Sequence, residues 1–525
     1  MVASMRIIRT SHVQPRLKAW IAFTVNTPFA LPLLLLAHVT AWTIYSCLAQ
    51  SAGTVHHDMT EAFTWGEHPA LGYYKHPPFY AWVTGLWFQI FPRADWAFYL
   101  LSQVNAAAGL AGVWFLAGRV AGPKIQLASL LLLTLAPFHN IMAINYNANS
   151  GLLSLWPWTA FTFVKAMETG RARDGVLFGV FAAAAMLCKY YSVLLLLSCI
   201  LASLANPRIK EIYRSWAPYA AVATGAALVA PHLWWLATHD WQTIEYAKHT
   251  GGFEPPFVLY KMVTTALASL CLLGLPFLVL AATFRSQVWP IHFAALRQGL
   301  RREGAPLLIL AAGPFLLTLL VGMLGSVKIS TNFLIPAFSL LPMAVLVLSR
   351  LLISPVHLTK IAGFAMIWPA AMIGVAPFIA FAQFSLGDGL TSEPRRELAE
   401  KVTSLWHETF GLPLKLVTGT NAYGSGMAFY SKDRPAEFIR LSYAQAPWVT
   451  PELLKTWGVA IACAGFDQDC KDKSAAIMTP RSKRIVLSSA HTFLNTTTTP
   501  REFEVFLIAP GDVPPVQPLA LHRFK

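Results

Sequence analysis

The chain has few charged residues and few cysteines for its length. Of its 525 residues, 12% are charged and 55% are hydrophobic. A soluble domain usually carries about 25% charged residues, so this composition argues against a soluble enzyme and against a disordered chain. Six cysteines are too few for a disulfide scaffold, and no CxxC or Cys/His zinc pattern occurs. Runs near 20 apolar residues recur along most of the chain instead, which indicates a polytopic membrane protein.

Acidic residues are scarce in the apolar part of the chain. Residues 1–384 hold 24 basic and 11 acidic residues, whereas residues 385–525 hold 16 and 14. Most of the net charge of +15 therefore belongs to the apolar part, where Lys and Arg are expected in cytoplasmic loops. The sequence has no basic tail or basic stripe, so nucleic acid is not an expected partner.

Apolar length and the position of basic residues predict about eleven transmembrane helices. The predicted spans are 21–50, 97–118, 125–143, 151–168, 175–190, 192–206, 216–236, 257–284, 306–325, 333–349 and 361–384. A cytoplasmic N-terminus places 18 basic residues on the inner side and six on the outer side, as the positive-inside rule requires. The first apolar run has no small-residue cleavage site after it, so we expect an uncleaved helix rather than a signal peptide.

Two domains follow from this topology. The first is a transmembrane domain, residues 1–384, and the second is a soluble periplasmic α/β domain, residues 385–525. Within the first, residues 51–96 form a long outer loop, in which residues 77–92 are short and rich in Trp and Tyr. Such a segment suits a helix that lies along the membrane surface rather than crossing it.

The soluble domain has a predicted helix at 393–410 and four segments that resemble strands. These four segments are 414–420, 458–463, 484–488 and 503–509. Cys463 and Cys470 lie close enough in sequence to form a small disulfide loop in an oxidising periplasm, and two free thiols are the alternative.

The outer carboxylates are the first candidates for chemistry. Asp58 and Glu61 follow the first span and are spaced i, i+3, so on a helix they share a face. A carboxylate at the membrane surface can act as a general base toward a hydroxyl or an amine. The alternatives are a metal ligand and, for Asp58, a helix N-cap, because Asp-x-x-Glu is a common capping pattern.

A second outer loop, 237–256, holds a cluster of polar residues. Its members are His239, Asp240, Glu245, Lys248 and His249. They could complete the site or bind a divalent metal together with Glu61. The His-x₉-His spacing is not diagnostic of a metal site, so no metal ligands and no cofactor are assigned from the sequence.

Residues 56–80 read HHDMTEAFTWGEHPALGYYKHPPFY, an acidic segment followed by basic residues, Pro-Pro and aromatic residues. This pattern resembles the GT-C superfamily of membrane glycosyltransferases. The branch is the bacterial one related to protein O-mannosyltransferases and to the lipid A aminoarabinose transferase. The resemblance covers residues 20–384 in layout, and 56–92 and 140–200 in motif.

The resemblance implies an inverting glycosyltransferase in the bacterial inner membrane. It would move a hexose or pentose from a polyprenyl-phosphate carrier to a lipid, glycan or protein acceptor at the periplasmic face. Asp58 matches the family's catalytic carboxylate, and Glu61 would stand in for a second one. Lys75 and His76, beside Tyr74 and just before Pro-Pro, would contact the carrier phosphate.

Two further candidates come from the second motif region. Asn149 stands where relatives have an Asp, and its amide can hydrogen-bond a sugar or phosphate oxygen but cannot act as a base. The alternative is that the asparagines here cap the following helix. Lys189 lies at an outer helix end, as a lysine does in relatives, and either meets the phosphate or snorkels to the interface.

The alternative function is a transporter or flippase of lipid-linked sugars. Transporters usually carry polar groups at the middle of the bilayer, often within inverted repeats. In this sequence the interiors of the predicted spans lack carboxylates and no repeat is evident. The enzyme is therefore the favoured interpretation.

Overall fold

The computed structural model describes residues 29–248, 253–285, 300, 304–327, 329–349, 351–387, 393–420 and 422–511. The protein is mostly helical and ends in a small sheet domain, which confirms the predicted fold class. Among the described residues up to 387, the α-helices are α1 Ala30–Ala49, α2 His57–Gly66, α3 Phe79–Ile90, α4 Asp95–Val120, α5 Pro123–Thr134, α6 Leu152–Thr169, α7 Ala172–Cys188, α8 Val193–Leu204, α9 Ile209–Arg214, α10 Ala217–Thr238, α11 Gln242–Lys248, α12 Pro255–Leu272, α13 Gly274–Thr283, α14 Ala305–Leu324, α15 Thr331–Leu334, α16 Leu341–Leu348 and α17 Pro355–Ser385.

Six of these helices are long and apolar enough to cross a membrane, namely α1, α4, α10, α12, α14 and α17. The number rises to eight if two bent pairs, which include α5 and α16, each count as one span. The described residues thus form a multi-pass membrane protein. The figure of eleven spans stays a prediction.

Three predicted spans are not single straight helices. The predicted span 125–143 bends by 82° after α5, where Pro137 begins a short 3₁₀ helix. Proline cannot donate to the helical ladder, and it pushes the residue before it, Ala136, into an extended conformation. The span 333–349 bends by 42° at a 3₁₀ segment that contains Pro336. The span 257–284 is divided at Leu273 into α12 and α13.

The first outer loop forms two short helices that pack closely together. Helix α3 has 12 residues and is about 18 Å long. It is shorter than the ~30 Å hydrocarbon core, in agreement with the prediction that 77–92 is not a span. Helices α2 and α3 meet at Gly66 and Gly85, where a Cβ on Gly66 would lie 2.5 Å from the backbone nitrogen of Gly85. Only glycine permits this approach, which holds α2 against α3.

The C-terminal part, which is the predicted soluble domain, places a five-stranded sheet beside helices. Its elements are α18 Arg395–Phe410, β1 Leu416–Gly419, α19 Ala422–Tyr430, β2 Ala436–Glu437, α20 Pro451–Trp457, β3 Val459–Ala464, α21 Gln468–Ala476, β4 Lys483–Ser489, β5 Thr492–Phe493, β6 Thr496–Thr497 and β7 Arg501–Ile508. The strand order is β2-β1-β3-β7-β4, with β1 parallel to β2 and β3, and with β7 antiparallel to β3 and β4. The predicted helix and all four predicted strands are present.

A disulfide joins Cys463 in β3 to Cys470 in α21, with their Cα atoms 5.6 Å apart. Of the two alternatives left by the sequence, the structure therefore has the disulfide. Bonds of this kind persist in oxidising compartments and are rare in the cytosol.

Candidate active site

Asp58 lies in the first turn of α2, and its side chain is 35% exposed. The His56 side chain caps the helix by accepting the backbone N–H of Asp58 at 3.2 Å. The alternative that Asp58 is the N-cap is therefore wrong, and its carboxylate makes other contacts. One oxygen lies 3.2 Å from Nε2 of His57, and the other accepts the Asn147 side-chain amide at 3.1 Å. The result is a partly exposed anion held by polar neighbours.

Glu61, one turn later on α2, has different surroundings. Its side chain is 18% exposed, and its Oε1 lies 2.7 Å from Nζ of Lys75. The Tyr74 hydroxyl donates to the same oxygen at 3.3 Å. Burial alone would lower the pKa of Lys75, but the Glu61 carboxylate raises it above its ordinary value. Lys75 therefore stays charged, and Glu61 is engaged in holding it.

A second lysine approaches the Asp58 side of the site. Lys189 follows α7, and its Nζ lies 4.1 Å above the centre of the Phe333 ring and donates to Oδ1 of Asn149. Burial lowers the pKa of Lys189 to about 8, while Cys188 and Asp58 act in the opposite direction. A half-buried ammonium that contacts an amide oxygen and an aromatic ring is suited to an anionic ligand.

Asn147 links these two groups. Its Nδ2 donates to Asp58, and its Oδ1 accepts the backbone N–H groups of Asn149 at 2.9 Å and Ser150 at 3.1 Å. A chain of contacts thus runs from Asp58 through Asn147 and Asn149 to Lys189. The capping alternative is wrong for these asparagines, since Gly151 flanks the start of α6 and no side chain caps it.

His76 lies in an aromatic surround rather than in an ion pair. Its ring centre is 5.9 Å from that of Tyr80 and 6.2 Å from that of Tyr246. Burial, and then the charges of Lys189 and Lys75, hold the pKa of His76 well below its ordinary value. The ring is therefore neutral near pH 7, so it can offer a hydrogen bond but no positive charge.

The second outer loop reaches the site through uncharged residues. In α11, Tyr246 packs near His76, and Thr243 donates to the backbone oxygen of Tyr73 at 2.8 Å. Glu245 and Lys248 pair with each other at 2.6 Å on the exposed side of the helix. His249 lies outside the described residues.

The soluble domain contacts α2 and the residue Val55 ahead of it. Thr60 in α2 and Ser425 in α19 share a hydrogen bond of 2.8 Å between their hydroxyls. Ahead of the helix, the Val55 backbone accepts the fully buried guanidinium of Arg395 at 2.9 Å and donates to the Tyr430 hydroxyl at 3.1 Å. The helix that carries Asp58 is therefore fixed by residues more than 300 positions away in sequence.

Glu437, in β2, is a buried carboxyl group of the soluble domain on the Glu61 side of the site. Glu437 as a whole is 5% exposed. Its Oε1 lies 2.5 Å from the position that a Cβ on Gly424 would occupy. Burial, and then the negative charge of Glu61, raise the pKa of Glu437 to about 8. Near pH 7 this group is therefore mostly neutral.

The side chains of His56, His57 and Asp58 lie close enough together that they could hold a metal ion. One ligand atom from each lies within 4.8 Å of the others. Imidazole and carboxylate are ordinary zinc ligands. One nitrogen of His56 already accepts the Asp58 N–H. The arrangement of the three residues is therefore also explained by the capped start of a helix that binds no metal.

Comparisons with known proteins agree on the fold. The model of the family described as dolichyl-phosphate-mannose-protein mannosyltransferase matches residues 75–235. The apo crystal structure of ArnT from Cupriavidus metallidurans superposes with a TM-score of 0.57 at 12% identity, covering 90% of this chain and 97% of that one. The same protein bound to undecaprenyl phosphate gives 0.57 at 14% identity, with 91% and 98% covered. A comparison with curated protein sequences gave no match.

The chain has the GT-C fold. The fold agrees with the one that the resemblance of segment 56–80 implies, and the matching family model begins at Lys75, inside that segment. Within the GT-C fold of this chain, the motif regions 56–92 and 140–200 meet at one end of the helix bundle. The Asp58–Asn147 contact joins them.

The structure brings together most of the residues singled out in the sequence, and it adds others. Asp58 and Glu61 share α2, while Tyr74, Lys75, His76, Asn149 and Lys189 surround that helix. Sequence reasoning assigned no role to His56, His57, Asn147 or Glu437. For the first three, adjacency to Asp58 and Asn149 was the available signal, whereas nothing local distinguishes Glu437.

Proposed function

We propose that this protein is an inverting glycosyltransferase that uses a sugar linked to a polyprenyl phosphate. The observation that carries the proposal is the environment of Asp58, a partly exposed carboxylate connected through two asparagines to a half-buried lysine. A base and a phosphate-binding cation are the two groups that a single displacement at a glycosyl phosphate needs.

In the proposed reaction Asp58 accepts the proton of an acceptor hydroxyl or amine as that group attacks the anomeric carbon of the donor. A bond forms between the acceptor atom and this carbon while the bond from the carbon to the phosphate oxygen breaks. The electron pair leaves with the lipid phosphate, and the proton stays on Asp58. One displacement on the face opposite the leaving group inverts the configuration.

The phosphate would be held on the Lys189 side of the site. Lys189 supplies a positive charge, Asn149 an amide and His76 a neutral ring N–H. Lys75 is engaged with Glu61, so we assign it to holding the loop in place rather than to the phosphate. The ArnT structure with undecaprenyl phosphate supports a polyprenyl phosphate as the donor class.

The site is proposed to face the periplasm of a bacterial inner membrane. The soluble domain with the Cys463–Cys470 disulfide packs on α2, so both lie at the same end of the bundle. A disulfide argues for an oxidising compartment at that end. Cleavage of the soluble domain by protease added to intact spheroplasts tests this, and protection there would invert the orientation.

The acceptor and sugar are best found by mass spectrometry of surface glycans and glycolipids from a deletion strain. A sugar missing from one glycoconjugate, and restored by the wild-type gene but not by the Asp58→Asn gene, supports the proposal. Glu254→Gln, an exposed carboxylate at the start of α12, is the matched control and should restore the sugar fully. Full restoration by Asp58→Asn would refute the catalytic role.

The transporter alternative is separated by an assay with purified protein in vesicles. A transferase should release polyprenyl phosphate from a labelled donor in proportion to the acceptor glycosylated. Movement of the intact donor between leaflets, without release of the phosphate, would replace the proposal with a flippase.

A further inference from the structure

A cavity of about 460 Å³ lies at the end of the helix bundle opposite the candidate active site. Helix α4 begins at Asp95, beside the soluble domain, and ends at Val120 in the cavity wall. Helix α6 begins near the Asn147 turn and brings Glu168, close to its other end, to the same wall. The cavity is therefore distant from Asp58 and serves no step proposed above.

The walls of this cavity are apolar and its mouth is polar. Phe163, Ala202 and Leu310 are buried in the walls, whereas Glu168, Asn206 and Arg208 bring polar groups to the lining. The neighbouring surface of α8 exposes the apolar side chains of Leu201 and Leu204. An apolar cavity that adjoins such a surface is accessible to the acyl chains of the bilayer.

The charges around the mouth favour an anionic occupant. From Arg119 to Arg214, this end of the helices carries eight basic and three acidic residues. Each of the three acids pairs with a base: Glu168 with Arg119 at 2.9 Å, Asp174 with Lys165 at 3.0 Å, and Glu211 with Arg208 at 2.7 Å. Five more basic residues, Lys124, Arg171, Arg173, Lys210 and Arg214, leave a net positive field.

We infer that this cavity binds an anionic glycerophospholipid from the leaflet opposite the active site. One acyl chain would lie along Phe163 and Leu310. The phosphate would meet the terminal NH₂ groups of Arg208 at the mouth, since the pair with Glu211 uses Nε of Arg208. Basic pockets between transmembrane helices bind anionic head groups in this way. The long side chain of Arg208 can keep its guanidinium at the level of the head groups.

The test is native mass spectrometry of the full-length protein, depleted of lipid in detergent and titrated with lipids of identical acyl chains. Phosphatidylglycerol should bind at least about fivefold more tightly than zwitterionic phosphatidylethanolamine. Arg208→Gln should weaken phosphatidylglycerol binding about tenfold, because it removes a charge-assisted hydrogen bond to phosphate, and should leave phosphatidylethanolamine nearly unchanged. Arg484→Gln, an exposed arginine in β4, is the matched control and should change neither.

A second variant tests the cavity itself. Leu307→Trp fills the lining at a half-buried position and should reduce the binding of both lipids. Equal affinity for the two lipids in the wild type, or unchanged phosphatidylglycerol binding in Arg208→Gln, would overturn the inference. Competition by glycerol 3-phosphate as strong as that by phosphatidylglycerol would also overturn it, since a soluble phosphate would then be the ligand. If Leu307→Trp fails to fold, the Arg208→Gln titration decides.

Discussion

The surroundings of Asp58 and of Glu61 differ although the two carboxylates stand one turn apart on α2. Asp58 is 35% exposed and touches a histidine and an asparagine. Glu61 is 18% exposed and holds the ammonium of Lys75 at 2.7 Å. The sequence offered both as catalytic candidates on one face. The difference shows the limit of helical spacing as a guide. A carboxylate that looks available from its spacing can be engaged in an ion pair.

The comparison predicts that the two carboxylates fail in different ways when they are neutralised. Loss of Asp58 should remove the chemistry and leave the fold intact. Loss of Glu61 should weaken the fold and leave the chemistry of the surviving folded protein largely intact.

The largest effect is expected for Asp58→Asn. Removing a general base typically costs about 10²–10⁴-fold in rate, so transfer should fall about a thousandfold. The thermal midpoint of the purified protein should change little, because Asp58 is partly exposed. Transfer of labelled sugar from a polyprenyl-phosphate donor measures the rate, and a melting curve measures the thermal midpoint. Transfer near the wild-type rate would show that Asp58 is not the catalytic base, and it would contradict the difference expected between the two carboxylates.

Glu61→Gln should act on stability. Breaking a largely buried ion pair leaves the ammonium of Lys75 without its partner, which costs about 3 kcal/mol in the free energy of unfolding. The double variant Glu61→Gln with Lys75→Met should recover part of this loss, because no charge is then left buried. Unfolding in detergent measures both. A stable single variant that has lost all transfer would instead make Glu61 a catalytic residue.

Lys189 provides a second test of the Asp58 side of the site, and its replacement is expected to have a smaller effect on activity. Lys189→Met should weaken donor binding by about tenfold or more, whereas Lys189→Arg should retain most of the affinity. Since the pKa of Lys189 is about 8, its positive charge is lost as the pH rises above that value. Donor binding by the wild type should therefore weaken above pH 8, and binding by Lys189→Arg should not. The kcat/KM profile with pH measures both.

Glu437 tests the Glu61 side of the site through the pH dependence of stability. Folded Glu437 keeps its proton up to a pKa of about 8, whereas the unfolded chain loses it near 4.5. Between these values the folded state binds more protons, so its stability falls as the pH rises from 4.5 to 8. Glu437→Gln cannot lose a proton, so this decline should largely disappear. Melting midpoints from pH 5 to pH 8 measure the decline, and the same slope in both proteins would contradict it.

Much of the fold could be predicted because a membrane-spanning helix needs about 20 apolar residues, a length that the thickness of the bilayer sets. The helices α1, α4, α10, α14 and α17 lie where apolar length places them, and the strands of the soluble domain follow from short apolar runs. The bends were not predicted as such. Near Pro137 and Pro336 the apolar run continues while the backbone changes direction, and hydropathy does not register that change.

The position of the candidate site could also be predicted. Charge is so scarce in residues 1–384 that the segment 56–80, with its carboxylates and its Lys-His-Pro-Pro, was the place to expect chemistry. The partners could not be predicted. Asn147 meets Asp58 across 89 positions, and Lys189 meets Asn149 across 40.

The sequence by itself therefore determined a polytopic membrane protein and the loop that carries its carboxylates, because both follow from local composition. Only the tertiary structure decided which carboxylate is accessible, which lysine is paired and which asparagine faces Asp58. It also decided that Glu437 of the soluble domain lies beside Glu61. The physical reason is that exposure, ion pairing and the pKa of a group depend on neighbours that folding brings together from distant parts of the chain.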